Sequence, residues 1–575
     1  MSLFPASLPQ DDGLIGRTER KLSLDAARLV YDYAYGVDNL LMPMAKAAGP
    51  LSEIPGQPRW VAMQVENNAK ISRDIRAWQD STKKQSPPIA NLADYARIFQ
   101  EFPIPAVTGV WQDDGVFANQ RLAGLNPMIL ERVTADGAVG QGWAQLRAKL
   151  APSIDDAALS AALGETTTFD AAIAAGRLYV ADYRFLSAVV ADSNAVGDEQ
   201  GRRLLAPIAL FVRRGGEEGL RPVAIQLGQK PTAPVHTPGV SPAWLMAKSY
   251  VQTADLNINQ LVNHLGLVHL IQDAFAIAMH RQMDNRHPIH RLLSWHFRAM
   301  LIINFGGELV LVGSKGIVAK ILESGAVGSA DLINDAYKLW RFEQLDPAAN
   351  IAKRGLDDPA LLPYFPYRDD GQRVYALLGA YVRDYLALYY GAPGAAETKA
   401  KIAGDWELQG WAAELSAEAN GPGRVKGFPA KIEDFDTLAR VLHLLIWTAG
   451  PQHAAVNFPQ IEYAGFVPNL PGANYAAPVA GEVTLANVME MMPPPEQTAD
   501  QFRTTWQLAG FKLDSLLDYG AHFDGAAREL ITRYHSQLAG EVTTAINAAN
   551  ARRQQLGLLE YTWLLPANIP NSTSV

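Results

Sequence analysis

In the stretch "QLVNHLGLVHL", residues 260 to 270, His264 and His269 stand five positions apart in an otherwise apolar helical pattern. An ideal α-helix separates such a pair by about 140°, so the two rings would face different neighbours. A π-bulge adds one residue to a turn, returns i and i+5 to nearly one face, and often occurs at functional sites. Five-residue spacing on a widened helix would aim two imidazoles at one metal ion. The competing reading is two core histidines, each bonded to a backbone carbonyl. A second pair lies downstream in "IWTAGPQHAAVNFPQ", where His453 and Asn457 are four apart and share one face of an ordinary α-helix. Imidazole nitrogen with amide oxygen suits a divalent iron-type ion better than calcium or magnesium. The 575 residues contain no cysteine, which removes disulfides, thiolate catalysis and zinc–thiolate sites.

Five further stretches follow one another in a fixed order: "WLMAKSYVQTADLNINQLVNHLGLVHL", "IAMHRQMDNRHPIHRLLSWHFRAMLIIN", "LPYFPYRDDG", "WTAGPQHAAVNFPQIEYAG" and the terminal "NIPNSTSV". With "WQDDGVFANQRLAGLNP" and "DYRFLSAVV", they make the chain from about residue 100 to its last residue resemble the lipoxygenases. The resemblance implies one non-haem iron held by His264, His269, His453, the weak ligand Asn457 and the main-chain carboxylate of Val575. Family members usually end in isoleucine, so Val575 is a mild departure at a position where the carboxylate does the binding. Gln260 and Gln460 match the family's amides behind the ligands, which couple the metal site to the substrate pocket. His280, His287, His290, His296 and His443 match no ligand position and read as core or surface residues. His287, before Pro288, is expected to shape a bend.

The activity implied is dioxygenation of polyunsaturated fatty acids that carry a 1,4-pentadiene unit, giving hydroperoxides. In that family a hydroxide on the metal is the base, so no Ser/His/Asp or paired-carboxylate constellation is required. Manganese with the same ligand types is the alternative metal. Zinc hydrolysis would leave Asn457 and the terminal carboxylate without a purpose. A non-catalytic lipid-binding protein would make the ligand set coincidental. After Asn304 the family reads small–x–small–Arg, where this chain has Phe305, Gly306, Gly307 and Glu308. Gly307 falls where the resemblance puts alanine in most S-specific enzymes and glycine in R-specific ones, so an R-configured product is expected. Glu308 replaces an arginine and puts that arginine's pairing in doubt. Leu311 and Val318 fall where the family clamps the acyl chain, and Phe305 is placed with them on the substrate and oxygen pocket.

Helical periodicity dominates the elements that must carry these residues. "SLDAARLVYDYAYGVDNLL" reads as an amphipathic helix from a Ser cap, and the first hundred residues look helical throughout. "LLAPIALFV" and "LRPVAIQL" form a hairpin over 204–227, with prolines that favour edge positions. Residues 391–431 read as loop broken by one short helix, "GDWELQGWAAEL", and "MMPPPEQTAD" as another loop. The expected architecture is a mostly α protein: an N-terminal helical segment, 1–98, in place of the family's β-barrel, packed on one large catalytic domain, 99–575, with a small β insertion. A net charge of −9 without a basic block makes nucleic acid an improbable partner. The N-terminus lacks a secretory pattern, so a cytoplasmic location is expected. The expected partners are a fatty acid and O2, with peripheral membrane contact allowed and a monomer as the default.

Overall fold

The computed structural model describes residues 5–47, 58–83, 89–193, 202–313, 316–479 and 481–573. Helix α1, Leu14–Val30, starts nine residues before the expected Ser cap and ends well short of Leu41. Gly36, at φ +70, turns the chain there, and Tyr33–Ala34 pairs antiparallel with Met44–Ala45. Arg20 docks α1 on the body through fully buried bonds to Glu407 and a 2.6 Å contact with Asp12. Helix α2, Pro58–Lys83, buries Ile71, Ile75 and Trp78 along one stripe.

The sheet is larger than a hairpin. Six strands, β1 Leu130–Thr134, β2 Gln141–Gly142, β3 Leu178–Asp182, β4 Ile208–Arg213, β5 Leu220–Gln226 and β6 Val235–His236, lie in the order β2-β1-β3-β4-β5-β6. The expected hairpin is β4–β5, but it sits inside the sheet and not at its edge. Pro222 is accommodated where the register shifts opposite Leu210 and Phe211, a bulge that leaves its missing N–H without consequence. Along β3, Leu178 and Val180 enter a core of their own, while Tyr179 and Ala181 face the main one. Both faces are covered, so the strands lack polar alternation.

Helix α3, Pro242–Gln282, runs through the middle for 41 residues. It is long and apolar enough to cross a membrane, yet 89% of its apolar window is buried within the fold. Such a helix, buried on nearly every side, is the spine of a large core, and its polar side chains such as Gln252, Asp255 and Asn257 are hydrogen-bonded within it. Helix α4, Met300–Gly307, packs beside it, and helix α5, Pro366–Tyr390, packs against residues 435–447. The stretch expected to hold one short helix holds two, Ala396–Gly404 and Trp406–Leu415. Asp405 between them caps Leu408 N–H and accepts from Tyr390 and His287. Helix α6 spans residues 435–457, and helix α7 is Pro495–Ala509. Much of "MMPPPEQTAD" is therefore helical, because Pro495 occupies the first turn, where its missing N–H costs nothing. Trp78 Nε1 donates to the Pro495 carbonyl, and Asn67 to that of Trp506, fastening α2 along α7.

Candidate metal centre

Residues Asn259–Leu270 of α3 are a π-helix, the widening that five-residue spacing requires. The Nε2 atoms of His264 and His269 come within 3.1 Å of each other, with the rings inclined at 76°. On α6 a second π segment, Thr448–Gln452, contains Pro451 and ends immediately before His453. Pro451 cannot serve the α-helical ladder, and the wider turn absorbs the break. Its effect is to bring the His453 ring to 4.9 Å from that of His269 and 5.4 Å from that of His264. One ligand atom from each of the three buried histidines lies within 4.8 Å of the others.

The amides around them form a one-way chain. Asn457 Nδ2 donates to the Leu508 carbonyl at 2.8 Å, Gln460 Nε2 donates to Asn457 Oδ1, and Gln260 Nε2 donates to Gln460 Oε1 at 3.4 Å. Gln260 Oε1 therefore faces His264 Nδ1, 3.1 Å away, which places that ring's proton on Nδ1 and leaves Nε2 a free lone pair. Gln260 and Gln460 thus meet one another and two of the candidate ligands. His453 has no hydrogen-bond partner on either ring nitrogen, an expensive arrangement for a buried ring. Burial, with repulsion from the neighbouring imidazoles, holds His264 and His453 well below the usual histidine range. Burial takes His269 down to about 4. Three neutral imidazoles with converging lone pairs, one of them otherwise orphaned, are a donor set that fits a transition-metal ion.

The C-terminal strand of chain runs directly beside this cluster. A Cβ on Gly450 would lie 2.8 Å from the Pro570 carbonyl oxygen, so only glycine admits the close crossing. Asn571 accepts from Leu517 N–H, donates to the Ser515 carbonyl, and offers its own carbonyl to His296 Nδ1 at 2.9 Å. The chain is tied down in this way as far as Ser572, whose hydroxyl donates to the Arg298 carbonyl at 2.6 Å; Val575 lies outside the described residues.

His264 and His269 line a cavity of about 450 Å³ whose wall includes apolar side chains such as Leu256, Leu261, Ile302 and Leu508. Gly307, Leu311 and Val318 all line it. At Gly307 nothing in the packing demands glycine: an added Cβ would touch only Leu311 Cδ1 at 3.6 Å, and the backbone is ordinary helix. Phe305 does not belong to the wall. Asn304, Gly306 and Gly307 present the cavity face of α4, and one helical step turns Phe305 away from it. Glu308 is buried, its carboxyl raised by burial and by Asp38 nearby, and no described cation pairs with it. Asn304, which spacing did not single out, bonds His269 from 35 residues away. Only the folded chain joins those two positions. Of the other histidines, His287 and His296 are buried, His280, His290 and His443 are half-buried, and His522 is exposed. His287 caps Ile289 N–H at the bend before Pro288 and reaches Asp405 at 3.0 Å.

The lipoxygenase family model matches residues 62–505. The linoleate 9/13-lipoxygenase of Pseudomonas aeruginosa is 30% identical, over 100% of this chain and 93% of that protein. The solved coral 8R-lipoxygenase superposes with a TM-score of 0.79 at 27% identity, covering 99% of this chain and 83% of the other. A solved manganese lipoxygenase, at 24% identity, shares the fold with a TM-score of 0.82 over 100% of both chains. The three-histidine cluster and these likenesses lead to one conclusion: the chain belongs to the lipoxygenase family.

Proposed function

We propose that this enzyme inserts O2 into polyunsaturated fatty acids with a 1,4-pentadiene unit and releases R-configured hydroperoxides. The observation that carries the reading is a mostly apolar cavity with His264 and His269 in its wall. An acyl chain offers little besides length and greasiness for recognition, and this wall matches both. The metal would be held by His264, His269, His453 and Asn457, and iron is the ion this donor set suits. When bound, it supplies the one-electron oxidation and the base that together remove a hydrogen from the doubly allylic carbon. The protein does the rest. Leu311 and Val318 hold the chain across the ligands, and the apolar wall displaces water from around the pentadienyl radical. The gap at Gly307 gives O2 access to one end of that radical, on one face. The P. aeruginosa relative is named for linoleate and the coral one as an 8R enzyme, which agrees with both parts of the reading.

Incubating metal-loaded protein with linoleate tests it. A conjugated-diene absorbance should grow, and chiral chromatography should show the R hydroperoxide. Absence of diene defeats the activity, and an S product defeats the role of Gly307. Metal analysis of active protein separates iron from manganese in the same ligands.

A further inference from the structure

Behind His269 stands another line of buried groups. Asn304, on α4, donates through Nδ2 to Asp273 Oδ1 at 2.7 Å and to the His269 carbonyl at 3.1 Å. Two acceptors at that nitrogen fix which way the amide points, so Oδ1 must face His269 Nδ1, 2.9 Å away. An oxygen there accepts only from the tautomer with its proton on Nδ1, and the Nε2 lone pair is left to face His264 and His453. Asp273 is held in turn. Its second oxygen accepts the Ala45 N–H at 3.1 Å, a donor from the two-stranded ribbon at the N-terminal end of the fold. Asp273 is 1% exposed, and no described lysine or arginine pairs with it. Burial raises its carboxyl to about 7, so the Asn304 amide and the Ala45 N–H hold it in place and no counter-charge is required.

We propose that Asn304 and Asp273 are positioning residues for the metal: Asp273, clamped by Ala45, orients the Asn304 amide, and Asn304 sets the tautomer and aim of His269. The inference rests on the reading of His269 as a ligand. It also ties the metal to the cavity wall, since Asn304 lines the cavity three residues before Gly307. Partners of this kind are worth about 10–100-fold in metal affinity.

Full-length parent, Asn304→Ala and Asp273→Asn are compared by competition for iron(II), under argon, against a chromophoric chelator. The ligand-field absorption of each cobalt(II)-loaded form reports the geometry at the metal, and the melting midpoint of the metal-free form reports the fold. The expected result is a fall in iron(II) affinity of about 10–100-fold in both variants, with cobalt bands shifted from the parent's. Merely structural residues would lower the midpoint and leave the bands alone. Parent-like bands in both variants therefore overturn the proposal, whatever the midpoints do. Asp273→Asn is isosteric and carries the test if Asn304→Ala does not fold. A parent that takes up neither iron nor cobalt defeats the ligand reading itself, and this proposal with it.

Discussion

Gly307 has room for one more methyl group, and that single fact makes it the sharpest residue to change. Gly307→Ala should move the product from R towards S in chiral chromatography of the hydroperoxide. Its Cβ would meet only Leu311 at 3.6 Å, so stability should hold or rise, by up to about 1 kcal/mol in a thermal melt, as alanine replaces glycine in a helix. A large drop in the melting midpoint would show that the glycine serves packing instead. His269→Ala should give protein with a near-parent circular dichroism spectrum and little metal by elemental analysis. Full metal content in that variant would refute the ligand assignment. At this scale the sequence was legible where spacing itself encodes geometry: His264 with His269 on a widened helix, His453 with Asn457 on an ordinary one. It was not legible where partners meet only through tertiary folding, as Asn304 and Asp273 meet His269. Phe305 was misplaced by a single helical step, which is enough to exchange a cavity for its surroundings.

Among the elements, the departures from expectation share a physical cause. Periodicity reports which side of an element is apolar, and β4 and β5 have no polar side. Their place inside a six-stranded sheet was therefore hidden, and the bulge that tolerates Pro222 is a property of the pairing, not of either strand. The helix Ala396–Gly404 is short and polar and gains its order from contacts around Asp405. Of the two π segments at the metal centre, one was legible because histidines mark it; the other, with Pro451, carried no such mark. Helix α2 offers a test at this scale. Trp78 is fully buried and bonded to the Pro495 carbonyl, so Trp78→Ala should cost about 3–5 kcal/mol, or release α2 locally. Limited proteolysis would then cut first between residues 58 and 83. Cleavage unchanged, with the midpoint also unchanged, would mean that α2 is held by something else.

Across the whole molecule, histidines that hold no metal still govern its acid tolerance. Burial takes His290, His296 and His443 each from 6.5 down to about 4. Between those values the unfolded chain binds protons that the folded chain refuses. Their contribution is complete above pH 6.5 and is lost as pH falls towards 4. Each such group adds a slope of up to about 1.4 kcal/mol per pH unit, and His264, His269 and His453 join them when no ion is bound, so metal-free protein should melt at steadily lower temperature from pH 6.5 downward. A flat midpoint across that range would contradict the buried, neutral assignment. The mostly α architecture was readable from periodicity, whereas the threading of residues 569–573 past Gly450 depends on contacts no pattern encodes. The row of amides running from the Leu508 carbonyl to the His264 ring has a consequence of its own. None of its members can reverse alone without setting two donors or two acceptors face to face, so the row keeps or loses its direction as a unit. Leu508 also borders the cavity, so a guest that pushes it aside tugs the anchored end of a line whose far end is an imidazole beside the metal. Occupancy of the greasy chamber and readiness of the ion are thereby mechanically joined.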